Sequence, residues 1–155
     1  MNWTAMAKGI NCPFDMPRVE PNPYWESVGS LRVSTLCLLK NQAYRGHCIL
    51  IFDPRHAVRL DELSAGEWAE YAKDLQQAVR AIMGACRPDH INVEAIGNRV
   101  PHLHWQLIPR YREDPRWGGP IWTTTIEELA HTQLPDAEQA ELISSIRARL
   151  EGRRP

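Results

Sequence analysis

The sequence predicts an α+β domain, an antiparallel sheet of about five strands packed against one long helix with a second helix at the C-terminal end. Three observations carry this. Apolar runs of strand length come in two pairs, each joined by a short polar or Gly-containing link, as hairpins are. Between the pairs lies one long stretch with helical spacing. A shorter helical stretch closes the chain.

The 155 residues match the size of one ordinary domain, able to bury a core without disulfides. We expect a single domain over 1–155, with an extended arm over 1–30, a core over 31–111 and a C-terminal segment over 112–155. The 18 Lys+Arg and 19 Asp+Glu leave a formal charge of −1, which argues against nucleic acid or an anionic membrane as partner. No secretory signal pattern and no apolar run near 18 residues is present. Cys12, Cys37, Cys48 and Cys86 are scattered with no C-x-x-C pair, so a reducing cytoplasm is the expected compartment.

In chain order, Pro13, Pro17, Pro21 and Pro23 argue for an extended arm, and Trp3, Phe14, Tyr24 and Trp25 for its packing onto something. "LRVSTLCLL" and "HCILIF" read as a hairpin around "KNQAYRG". From about Ser64 to Cys86, Trp68, Ala72, Leu75, Val79 and Ile82 form an apolar stripe. Ser64 and Glu67 fit a capping box, and Pro88 prevents continuation. "HINVEAI" and "PHLHWQLI" follow as two strands joined through "GNRV", where Gly97 and Asn98 tolerate positive φ. Residues 112–133 read as turn chemistry, with threonines suited to a loop or an edge strand. The last helix, from about Asp136 to Arg149, carries Ala140, Ile143, Ile146 and Leu150.

The chemistry sits in "RVPHLHWQLIPRY". On a strand, His102, His104 and Gln106 share one face, while Leu103, Trp105 and Leu107 face the core. Two imidazoles on one face need partners for four ring nitrogens. Neutral imidazole can act as a nucleophile at phosphorus, giving a covalent phosphoramidate that an acceptor later cleaves. A His-x-His pair can also bind Zn²⁺, but it needs further ligands. Cys12, Asp15, His47, His56 or His90 could supply them only by coming together in the fold, and no metal is assigned from the sequence.

The stretch "NVEAIGNRVPHLHWQLIPRY" resembles the signature strand of the histidine-triad (HIT) superfamily, His-φ-His-φ-His-φ-φ with φ apolar. "YRGHCILIFDPRH" is similar to that family's upstream Gly-His strand ending in Pro-Lys-x-His. The resemblance implies a HIT-like fold, a nucleotide substrate and a homodimer; no cofactor is expected, and with Asp15 in place of a second cysteine beside Cys12 a family-type zinc site is not expected. By position, it makes His104 the nucleophile, His102 and His47 ordering residues, and His56 a structural one. Asn98, with Gly97 beside it, is a candidate phosphate contact. Two departures stand out: Gln106 replaces the third histidine, and the family's N-terminal C-x-x-C, zinc-binding in some members, reads "CPFD".

Gln106 can donate an N–H to a phosphoryl oxygen but cannot deliver a titratable proton to a leaving group. We therefore expect a phosphoanhydride hydrolase or nucleotidyltransferase acting at an α-phosphate through a nucleotidyl-histidine, with dinucleoside polyphosphates or nucleotide sugars favoured over phosphoramidates. The His-x-His-x-Gln pattern resembles the nucleotidyltransferase branch of the superfamily, whereas the short chain and "GNRVPHLHWQLIPRY" resemble small bacterial HIT hydrolases, which leans the expectation toward hydrolysis. The alternatives are a nucleotide-binding or regulatory module that keeps the pocket without turnover, and a strand-borne metal site.

Overall fold

The computed structural model describes residues 2–18, 20–114, 116–123 and 132–152. Five strands, β1 (Trp25–Ser30), β2 (Ser34–Leu39), β3 (Cys48–Phe52), β4 (His90–Glu94) and β5 (His104–Arg110), form one sheet in the order β1-β2-β3-β5-β4. Every neighbouring pair is antiparallel. The helices are α1 (Trp3–Met6), α2 (Ala65–Cys86) and α3 (Asp136–Glu151).

The expected hairpin and the β4–β5 pair both form. The N-terminal 30 residues differ from an extended arm at both ends. Asn2 caps the short α1 through its side chain, and β1 pairs with β2. The prolines at 13–23 restrict only the stretch between. A register irregularity between Ser27 and Gly29 breaks the alternation that would have marked β1 as a strand.

Helix α2 starts where the capping box placed it, with Ser64 and Glu67 satisfying each other's backbone. Its buried face is rotated from the apolar stripe. Tyr71, Asp74, Ala78, Ala81 and Ile82 are buried, whereas Trp68 is 42% exposed. Two polar residues turn inward because each finds partners there. The Tyr71 hydroxyl donates to the Leu50 carbonyl at 2.9 Å. Asp74 accepts from Arg32 N at 3.2 Å, Val33 N at 2.8 Å and Ser34 Oγ at 2.7 Å, so it fastens the helix to the β1–β2 turn. On α3 the buried residues are Leu142, Ile143, Ile146 and Leu150, and Ala140 faces solvent.

The main core lies between the sheet and α2 with α3, and includes Leu36, Leu38, Leu50, Phe52, Leu103 and Leu107. Trp105 belongs to this face as expected, packing against Tyr71 with ring centroids 6.3 Å apart, but it is only partly buried. A second cluster, Cys12, Phe14, Trp25, Cys37, Ile49 and Ile51, covers part of the opposite face, which carries His104. All four cysteines are free thiols. Of the 112–133 segment, Ile121–Thr123 forms one 3-10 turn. The expectation of loop or edge strand for Thr124 and Thr125 lies outside the described residues.

Candidate active site

Strand β5 and the residues leading into it carry the site. Because β3 and β4 flank β5, side chains from three strands meet on one face. In register, Ile49 pairs with Gln106 and Ile51 with His104, while Glu94 on the other side pairs with Gln106.

His102 is 2% exposed, and its Nε2 lies 2.6 Å from the Phe52 carbonyl oxygen. A carbonyl only accepts, so Nε2–H donates and Nδ1 carries the lone pair. His104 is buried, with its Nδ1 lying 2.6 Å from the His102 carbonyl. By the same reasoning Nδ1–H donates there, and Nε2 of His104 is left as a bare lone pair. Burial pushes both imidazoles below their ordinary value, the backbone bonds opposing it. Each ring is therefore neutral at pH 7, and the basic nitrogen of His104 is the one not committed to the backbone.

His47, just before β3, reaches the same cluster: its Nε2 lies 2.9 Å from Gln106 Oε1. Burial lowers His47 to about 4, with the Gln106 bond acting the other way, so Nε2–H donates to the amide oxygen. That fixes the amide orientation and leaves the Gln106 NH₂ as a donor for another group. The structure thus brings together His47, His102, His104 and Gln106. Gly97 and Asn98 lie in the connection from β4 into His102. Gly97 takes φ +63 with nothing within 4 Å of a Cβ, as its turn role predicts, and Asn98 is exposed. His90, at the outer end of β4, is exposed as well.

Two walls border the cluster. The Phe14 ring stands edge-on to His104 at 5.0 Å and to His102 at 5.8 Å. On the other side the Trp122 ring approaches His47 at 6.4 Å, and its indole N–H donates to Glu94. Residue spacing gave no signal for Phe14, Trp122 or Glu94. Their places depend on how the arm and the 116–123 segment fold over the sheet.

The arm also brings Asp15 and Cys12 to His102. Asp15 Oδ1 lies 3.2 Å and Cys12 Sγ 3.7 Å from His102 Nδ1. Asp15 Oδ2 lies 2.7 Å from His56 Nδ1. One ligand atom from each of Cys12, Asp15, His56 and His102 falls within 4.8 Å of the others. A lone pair held against a carboxylate and a sulfur is an arrangement that a cation stabilises. In a tetrahedral Zn²⁺ site the N–O and N–S edges are roughly 3.4 and 3.6 Å, near the observed separations. His56 Nε2 is buried without a partner, a further unsatisfied group at this cluster. The donor set fits a small divalent metal, with a carboxylate where a second thiolate would stand.

A sheet face that presents a tautomer-fixed neutral imidazole beside an amide donor carries the parts of a nucleophilic or general-base histidine site. The HIT domain model matches residues 28–113, and the chain belongs to that family. A histidine triad protein from Bradyrhizobium japonicum is similar in structure, with TM-score 0.73 and 25% identity, covering 81% of this chain and 90% of that one. A zinc-bound histidine triad family protein from Mycobacterium smegmatis shares the fold, with TM-score 0.58 and 21% identity, covering 81% and 84%. Among curated sequences, a bis(5'-adenosyl)-triphosphatase from Saccharomyces cerevisiae is 35% identical over 72 residues, 43% of this chain. The chain spans about a third of that relative's length, 35%.

Proposed function

We propose that this chain cleaves a nucleotide phosphoanhydride at its α-phosphate through a covalent nucleotidyl-His104, with dinucleoside polyphosphates or nucleotide sugars as substrates. The observation that carries the reading is the tautomer of His104. Its Nδ1–H is spent on the His102 carbonyl, so the free Nε2 is the attacking atom. Nε2 forms a bond to the α-phosphorus as the bond to the bridging oxygen breaks, and the leaving phosphate departs with that electron pair. Gln106, oriented by His47, donates its NH₂ to a non-bridging oxygen. His102 orients His104 through its backbone, and in this reading Asn98 and Gly97 supply donors at the phosphate end. Water, or another acceptor, then attacks phosphorus and returns the electron pair to Nε2.

An amine leaving group needs a proton that an amide cannot give, whereas a phosphate leaves as a stable anion. This favours phosphoanhydrides over phosphoramidates. The yeast relative, a bis(5'-adenosyl)-triphosphatase, points the same way. The reading includes a homodimer, as the family resemblance implies, and a cytoplasmic setting in keeping with four free thiols. Among the described residues no helix is long and apolar enough to cross a membrane.

Cys12, Asp15, His56 and His102 would hold a zinc ion. Its role there would be structural, tying the N-terminal arm to His102. The four residues fasten the arm to the strand that carries His104.

Intact-protein mass spectrometry after brief incubation with diadenosine triphosphate or a nucleotide sugar, beside His104→Ala, tests the reading. A nucleoside-monophosphate adduct only on the wild type is expected. No adduct and no turnover with either substrate, but nucleotide affinity retained in His104→Ala, would instead identify a binding module.

A further inference from the structure

Resting on the covalent-histidine reading, we infer that Glu94 selects the acceptor that resolves the intermediate, favouring water over an anion. Two independent features place this carboxylate at the catalytic face. Glu94 is the cross-strand partner of Gln106, and directly paired residues project to the same face with Cβ atoms about 5 Å apart. Trp122 then bridges the two sides of the cluster, with its ring against His47 and its N–H on the Glu94 carboxylate. Asn92 Nδ2 approaches the other oxygen at 3.4 Å. Glu94 forms no ion pair with any described residue, unlike the buried Arg110, which pairs with Asp114 at 2.7 Å. Its negative charge is therefore hydrogen-bonded but not cancelled.

The position matters because of what the second step requires. The nucleotidyl group on His104 Nε2 is attacked at phosphorus by an oxygen approaching opposite the N–P bond. A P–O bond forms, the N–P bond breaks, and its electron pair returns to Nε2. With water the attacking oxygen loses a proton to solvent and the product is a nucleoside monophosphate. With inorganic phosphate the product is a nucleoside diphosphate, and with a sugar phosphate a nucleotide sugar. Water is neutral and pays no Coulomb penalty near Glu94. A phosphate bearing one to two charges does, and at separations of about 7 Å in a half-solvated groove the penalty disfavours it at least about tenfold. The leaving polyphosphate occupies the same side of the reacting phosphorus, so the same charge hastens its departure. Glu94 thus biases a site equipped for group transfer toward hydrolysis.

The test is the partition of the intermediate. Wild type, Glu94→Gln and Trp122→Phe are given diadenosine triphosphate with isotopically labelled inorganic phosphate at constant ionic strength. Labelled nucleoside diphosphate is measured against nucleoside monophosphate, and the His104 adduct is followed by intact mass. Glutamine retains an oxygen for the Trp122 N–H and removes the charge, while its NH₂ takes the place of the oxygen facing Asn92, whose own amide can turn to accept from it. We expect the diphosphate-to-monophosphate ratio to rise at least about tenfold in Glu94→Gln and to stay near the wild-type value in Trp122→Phe, which keeps the charge. An unchanged ratio in Glu94→Gln while the adduct forms overturns the inference, as does no labelled product from either chain. An equal rise in Trp122→Phe overturns it too, since packing and not charge would then decide. Absence of the adduct in the wild type overturns the covalent reading itself, a separate outcome.

Discussion

Replacing Gln106 with glutamate separates the hydrogen-bonding and electrostatic parts of the site in one step. The side chain keeps its shape, and the oxygen that accepts from His47 Nε2 at 2.9 Å remains. What is lost is the NH₂ proposed to hold a phosphoryl oxygen, and what is gained is a negative charge beside Glu94. Losing a hydrogen bond to a charged phosphoryl oxygen costs about 1.5–3 kcal/mol. A carboxylate about 4 Å from that oxygen adds about 2–4 kcal/mol of repulsion at effective dielectric constants of roughly 20–40. Together these give about 3.5–7 kcal/mol, or a fall of roughly 400-fold to 10⁵-fold in kcat/KM. Steady-state hydrolysis of diadenosine triphosphate and the single-turnover rate of adduct formation would measure it. Folding stability at pH 7 should fall by no more than about 1 kcal/mol, because the His47 bond survives while two carboxylates now face each other across the strands. A loss below about tenfold, with the chain folded, would mean that Gln106 does not face the phosphate and would refute the assigned amide orientation.

Further outcomes follow from the same geometry. Asp74→Ala leaves two backbone N–H groups and the Ser34 hydroxyl without their acceptor, and urea denaturation should show a loss of about 3–5 kcal/mol. His47 is held at about 4 against an ordinary 6.5, so the unfolded chain takes up a proton between those values that the folded chain refuses. Its contribution is full above pH 6.5 and is lost as pH falls through 4, by about 3 kcal/mol. His47→Gln should flatten that part of the stability profile in denaturation series from pH 7 to 4. Purified protein should contain about one zinc per chain by elemental analysis. Asp15→Ala should lower that content, and Asp15→Cys should retain metal against stronger chelators. Zinc-free wild type that regains none on reconstitution would count against the metal reading.

The local elements of this protein were legible in the sequence because each has a short-range cause. The Ser64–Glu67 box sets the start of α2 whatever packs on it. The alternation of His102, His104 and Gln106 against Leu103, Trp105 and Leu107 follows from strand geometry alone, and the opposite faces appear as expected. The family motif carried His47 as well. Other features had no local cause. Tyr71 and Asp74 look like solvent-side residues until the Leu50 carbonyl and the β1–β2 turn satisfy them, and so the buried face of α2 is turned from the apolar stripe, which keeps Leu75, Val79 and Ile82 on the core but leaves Trp68 exposed. A bulge concealed β1.

At the site the division falls along the same line. The sequence by itself determined which residue types lie on β5 and in what order, because side-chain direction on a strand alternates with a period of two. Only the tertiary structure decided which nitrogen of each histidine is free, because that depends on the Phe52 and His102 carbonyls. Only it brought Asp15 and Cys12 to His102, or set Glu94 beside Gln106. Those pairings join residues far apart in the chain, and they are fixed by strand register and by the docking of the arm, two long-range consequences of burying one core that no local pattern encodes.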